Sequence, residues 1–363
     1  MIVNHIARWD GTRWSALGEG MGLHGIVYAV AVSEATGDVY AGGVFNQAGG
    51  VPGTKRLARW DGTRWHDVGG GVAEGKWWDG TRWNDVGSGV GEGKWWWVNA
   101  IAVSGTDVYV GGTFGRVGGV KTGCIAKWDG REWSGLGSGL GEFDPKVRAL
   151  AVKGSDVYVG GIFSHAGGVE ARNIARWDGR EWHALGSGKR GSGGKSGGTR
   201  AAWVEDIAVK GSDVYVGGGF IDAGGRTTRY IGRWDGETWH EMDEDDRNPV
   251  VGSVAALTVW GEDVYAGGHW THNQMPMNCL AKWDGRAWDD LGEVTSDTVC
   301  AIGASRDYLY IGGWFNAPGR YIARWDGREW SSMGSGTNHR VYAIAMNEAT
   351  GEVYAGGAFT EVG

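Results

Sequence analysis

The chain has only three cysteines in 363 residues, too few for a disulfide framework. Cys124 and Cys279 fall at the same place in two different repeats. That predicts a separation beyond the roughly 7 Å Cα limit for bridging, so they read as buried free thiols. There is no run of 18 apolar residues, and no membrane insertion is expected. Cationic charge is in deficit, 35 Lys and Arg against 43 Asp and Glu (net −8), which argues against a nucleic-acid partner. Repeat sequence begins by about Ile6 and leaves no room for a signal peptide. With Met1 as the native start the expectation is a cytoplasmic protein; with a leader missing, an extracellular or cell-surface one. Motifs of catalysis are also lacking: there is no Walker loop, no Cys-x-x-Cys and no His-Glu-x-x-His. The nine His are scattered, and only His269 and His272, three apart on a loop, hint at a metal pair. The expectation is a non-enzyme without catalytic residues, cofactor or metal.

What the chain has is glycine (71) and tryptophan (24), and one repeated phrase explains both. A Tyr-x-Gly-Gly half recurs seven times, at Tyr40, Tyr109, Tyr158, Tyr215, Tyr265, Tyr310 and Tyr354. A Trp-Asp-Gly half also recurs seven times, at Trp9, Trp60, Trp128, Trp177, Trp234, Trp283 and Trp325, with an eighth copy at Trp78. Each unit reads as four short strands. The first is an apolar run such as Ala149–Val152, too short for a helix, and the second ends in Gly-Gly. Asp-Gly turns the third strand into the fourth. A period of about 40–50 residues built of short strands marks a propeller blade. The fold predicted is all-β, a seven-bladed propeller of four-stranded antiparallel blades forming one domain over 1–363. Because the chain begins with strands three and four (Ile6 to Leu17) and ends with strands one and two (Val341 to Phe359), the two ends should share a blade and close the ring.

The repeat resembles the kelch family, whose blades carry a strand ending in Gly-Gly, then a Tyr/Trp-Asp turn and a later Trp. Tyr158, Gly160, Gly161, Trp177, Asp178 and Trp182 stand at those places. It is also similar to the Trp-Asp-Gly-x-x-Trp-x-x-Leu-Gly repeats of some bacterial surface and lectin propellers. Both resemblances imply a propeller. Neither implies one ligand, because kelch-type propellers include scaffolds, enzymes and sugar binders.

Three stretches break the pattern. Residues 60–77 are copied directly as 78–95 with three differences in 18 positions; lacking a second Tyr-x-Gly-Gly half, the copy reads as a protruding hairpin. The Gly/Ser-rich segment 188–200 is expected to be mobile. Residues 241–246 contain five acids and read as a solvated loop.

The loops joining strands two to three and blade to blade should emerge on one face, and they vary in length, charge and aromatic content. Variable loops on a rigid scaffold usually carry function, so that face is the expected binding face. The position after Gly-Gly holds His269 and Trp314 in neighbouring repeats, and Trp270 stands in the place of a repeated Phe. These three, with Trp96, Trp97 and Trp203, are the candidate binding residues. The expected function is an interaction scaffold with a protein partner, the alternative being carbohydrate binding. The cation before each repeat Trp (Arg8, Arg59, Lys127, Arg176, Arg233, Lys282 and Arg324) is too regular for a ligand site. It is expected to brace the fold, through the repeated acid near Val-Tyr or by lying on a Trp face.

Overall fold

Short apolar runs separated by turns can satisfy their backbone N–H and C=O groups only by pairing with one another. In the computed structural model of this chain they do so within each repeat. The fourth repeat is an antiparallel sheet of Lys146–Lys153, Asp156–Ile162, Ile174–Trp177 and Trp182–Ala184, paired in chain order. The structure describes residues 1–22, 24–70, 76–78, 83–85, 96–141, 145–186, 189–190, 202–242, 252–272, 275–276, 279–291, 295 and 297–363. Among the described residues strands dominate and no helix occurs.

The same four-strand order recurs in the second, third, fifth, sixth and seventh repeats, the sixth adding Met275–Pro276 beside its second strand. The two ends of the chain supply one further sheet, numbered first here. Its order is Trp14–Ala16, Ile6–Trp9, Glu352–Gly357, Val341–Asn347, with Ile6 opposite Gly356 and Trp9 opposite Val353. The strand Glu352–Gly357 is thereby paired on both of its edges.

Within a sheet, the third- and fourth-strand Trp face each other, with ring centroids 5.3 to 5.4 Å apart in all seven. Each such ring buries on the order of 200 Å², worth several kcal/mol before entropy is charged. The indole N–H of the fourth strand reaches the preceding sheet. Trp182 Nε1 donates to Leu136 O at 2.9 Å, Trp239 to Leu185 O at 2.7 Å and Trp14 to Met333 O at 2.8 Å. Six of the seven make this bond; Trp330 Nε1 is buried without a partner.

The Gly-Gly pair explains how closely the sheets approach. A Cβ on Gly160 would collide with Val204 of the next sheet, and one on Gly161 with the Lys146 carbonyl of its own first strand. The first collision repeats from sheet to sheet and returns to its start: Gly312 abuts Val341, and Gly356 abuts Val27. Correspondingly, the first strand of every sheet packs on those of its two neighbours, the seventh on the first and the first on the second.

The repeated cations brace individual sheets. Six pair with the acid of the adjacent strand, as in Arg176–Asp156 at 3.0 Å, Arg59–Asp38 at 3.0 Å and Arg8–Glu352 at 3.0 Å. The seventh differs because Tyr308, not Asp307, stands two residues before Tyr310, where the other repeats have their acid. Arg324 accordingly lies over the Tyr308 ring, 4.7 Å from its centroid.

In the duplicated stretch, Lys76–Trp78 and Trp83–Asp85 pair with each other; the rest of 71–95 lies outside the described residues. Within 188–200, Lys189–Arg190 pairs with Asp222–Ala223, and the remainder lies outside the described residues, as do 243–246 of the acidic loop.

Candidate functional site

Near the start of every first strand the pairing slips by one residue. In the fourth sheet Val147 pairs with Gly161 and Ala149 with Gly160, so Arg148 is left over. The second glycine permits this, since only a residue without Cβ lets the bulging strand come so close. A bulge frees one residue from the ladder and re-aims its side chain. All seven bulged residues line one cavity of about 1030 Å³. Tyr342, Tyr28 and Asn99 come from the first three sheets, and Arg148 and Glu205 from the fourth and fifth. Ala255 and Cys300 come from the last two.

The wall is divided by chemistry. Tyr28 stands between Tyr342 and Trp97, with ring centroids 5.6 and 5.8 Å away, so three sheets share one aromatic arc. Beside the arc, Asn99 Nδ2 donates to Val147 O of the next sheet at 3.2 Å. Arg148 Nη1 then donates to both oxygens of Glu205, at 2.8 and 2.6 Å, and both side chains stay about one-third exposed (36% and 29%). Ala255, Ala256, Cys300 and Ala301 leave the remaining side open. Burial pushes the Cys300 thiol up to about 12, which keeps it protonated and a poor nucleophile.

One position deeper, six sheets place Ala and the fifth places Asp206. Its Oδ1 accepts from its own Ile207 N–H at 2.8 Å, and Oδ2 from Leu257 N–H of the sixth sheet at 2.7 Å. Desolvation pushes this carboxyl up to about 7, against the pull of those two N–H bonds. A carboxyl near 7 has the proton affinity of a general base. Here, however, each oxygen already accepts a backbone N–H, and the group ties two sheets together.

The sequence-predicted residues divide into separate places. Trp96 and Trp97 line the cavity. His269 and Trp314 meet at the strand ends through Thr298, whose hydroxyl bonds His269 Nδ1 at 3.0 Å and whose carbonyl accepts the Trp314 N–H at 2.9 Å. Trp314 is 38% exposed, and Arg340, the residue before the Val341–Asn347 strand, stacks on it with Cζ 3.5 Å from the ring centroid. Trp203 lies over Gly219, where a Cβ would enter its ring, and is not part of the cavity wall. The side chain of Trp270 lies outside the described residues. The cavity residues Tyr28, Asn99, Arg148, Glu205, Asp206 and Tyr342 were not singled out from the sequence. Aligning the first strands of the repeats would have exposed them, since Val-Asn-Ala, Val-Arg-Ala and Val-Glu-Asp differ where their neighbours agree.

The opposite strand ends are uniform. Among the described residues the Asp of each Trp-Asp-Gly turn accepts two backbone N–H bonds, as Asp178 does from Arg180 and Glu181 at 2.8 and 2.9 Å. The cluster of Asp178, Glu181 and His183 has ligand atoms close enough to hold a metal. The same His–Asp contact recurs as His66–Asp61 and His240–Asp235, so it is a repeated turn brace. Among the described residues no helix is long and apolar enough to cross a membrane. No protein-family model and no curated protein sequence matches the chain.

Proposed function

We propose that the chain is a seven-bladed β-propeller, related in its repeat to kelch proteins, that works as a non-enzymatic interaction scaffold and engages a protein partner through its variable-loop face. Supporting the architecture are seven sheets of one strand order, and inter-sheet contacts that return to the sheet where they began. Deleting residues 1–18 should expose the edge of Glu352–Gly357 and cause aggregation; a monomeric truncation of unchanged thermal stability counts against closure.

The observation carrying the function is the exposed Trp314 with Arg340 laid on its ring, at the end of the sheets where the residues differ. Trp and Arg are the side chains that most often dominate protein interfaces. Affinity capture from the native source should recover a partner with the wild type and with a turn-face variant, Arg64→Glu. The same partner should be lost from Trp314→Ala/Arg340→Ala. A partner lost equally from Arg64→Glu, or none recovered, overturns the reading. A carbohydrate-binding propeller is the second reading, favoured by the aromatic arc of Tyr342, Tyr28 and Trp97.

A further inference from the structure

We propose that the cavity walled by the bulged residues binds a single neutral sugar ring, with its apolar face against Tyr28 and Trp97 and its hydroxyls bonded by Asn99, Arg148 and Glu205. This rests on the carbohydrate reading and is independent of the protein-partner reading. It also places the sugar away from the Trp314 strand ends.

Three features of the wall select that ligand. The aromatic arc gives the wall an apolar stretch that suits the C–H side of a pyranose, and Asn99 adds a polar group beside it. Donating Nδ2 to Val147 O fixes the Asn99 amide plane and leaves its carbonyl oxygen as an acceptor. Arg148 spends one nitrogen on Glu205, so the pair presents further guanidinium N–H donors next to carboxylate lone pairs, both partly exposed. That arrangement suits hydroxyls, which donate and accept at once.

Charge excludes the competitors. An anionic ligand would have to displace Glu205 from Arg148 or lie against it. A cationic one would have to displace Arg148 from Glu205 or lie against it. The small residues Ala255 and Cys300 leave room on the far side, and a volume of about 1030 Å³ is ample for one ring and its water. No reacting role is assigned to Cys300, which keeps its proton, or to Asp206, which ties two sheets through two backbone N–H groups.

The test is tryptophan fluorescence and saturation-transfer NMR on the full chain, with the methyl glycosides of glucose, galactose, mannose and N-acetylglucosamine, and tetramethylammonium as a cationic counter-probe. At least one glycoside is expected to bind and to lose affinity tenfold or more in Tyr28→Ala and in Ala255→Trp, which fills the open side. Trp314→Ala should leave it unchanged. Tyr28→Ala provides the readout if Ala255→Trp does not fold. Binding lost in Trp314→Ala but kept in the cavity variants overturns the cavity site while leaving the carbohydrate reading standing. No glycoside bound overturns both, and saturable binding of tetramethylammonium alone overturns the neutral ligand.

Discussion

The third and fourth strands of the seven sheets are nearly interchangeable, whereas the bulged residues of the first strands scarcely agree. Both belong to the same repeat. The outer strands carry the Trp pair, the cation brace and the Asp turn, which recur from sheet to sheet, the seventh alone exchanging the acid partner of its cation for Tyr308. The bulged positions carry Tyr, Asn, Arg, Glu, Ala and Cys, and they meet in one cavity. Repetition suits stability, because the same contact serves at each interface. Recognition needs groups that differ around a ligand, and here the differences gather at the one position freed from pairing.

The sharpest way to break this contrast is to remove a spacing glycine. Gly160→Val puts a branched side chain into Val204 of the next sheet, and overpacking there should cost about 3 kcal/mol or more. A chemical-denaturation midpoint equal to wild type would show that the sheets do not meet as described.

Asp206 tests whether the inner wall trades stability for its polarity. The unfolded chain ionises this group near its ordinary 3.8, while the folded chain holds the proton until about 7. Between those values the folded state binds more protons, so stability should fall as pH rises from about 4 to 7 and level off above. The full interval corresponds to about 4 kcal/mol, an upper bound because the side chain keeps some exposure to the cavity. Asp206→Ala, which restores the residue of the other six sheets, should flatten that part of the curve. The turn carboxylates act oppositely: hydrogen bonds hold Asp10, Asp61, Asp178 and Asp235 below their usual range, so their contribution is lost as pH falls below about 4. A wild-type curve flat from pH 4 to 7 would refute the account of Asp206.

A smaller effect separates the indole bond from the indole ring. Trp182→Phe removes the bond to Leu136 O and should cost about 2 kcal/mol, whereas Trp330→Phe removes an N–H that has no partner and should cost about 1 kcal/mol less. Equal losses would mean that the bond contributes nothing. Smallest is the cation brace. The side chains of Arg176 and Asp156 are 34% and 24% exposed, so solvent screening should hold the loss on Arg176→Ala to about 1 kcal/mol. Arg324→Ala, which loses a stack on Tyr308 and longer hydrogen bonds to Ser331 Oγ and Gly11 O, at 3.2 and 3.5 Å, should lose about half of that. Thermal melts of the two variants would detect any reversal of this order.

Much of the outer structure was legible in the sequence. The spacing from Trp177 through Asp178-Gly179 to Trp182 dictated a hairpin, because only a tight turn pairs two Trp across so short a distance. The Tyr-x-Gly-Gly phrase marked a strand end with a close backbone approach, and Gly160 and Gly161 meet Val204 and Lys146 as that requires. The cation-to-acid pairing also followed from register, and it failed only where Tyr308 took the acid's place.

The cavity was not legible, for a physical reason. A strand's sequence gives which residues alternate in and out, but a bulge inserts one residue that belongs to neither face. Tyr28, Asn99, Arg148 and Glu205 lie tens of residues apart, each one among many polar or aromatic residues of the chain. The repeated four-stranded antiparallel sheets followed from local sequence, since apolar runs, glycine and turn residues act within a few positions of one another. That the leftover residue of each first strand faces a common cavity followed from tertiary packing alone, because it depends on the first strands of seven sheets meeting their neighbours until the last meets the first.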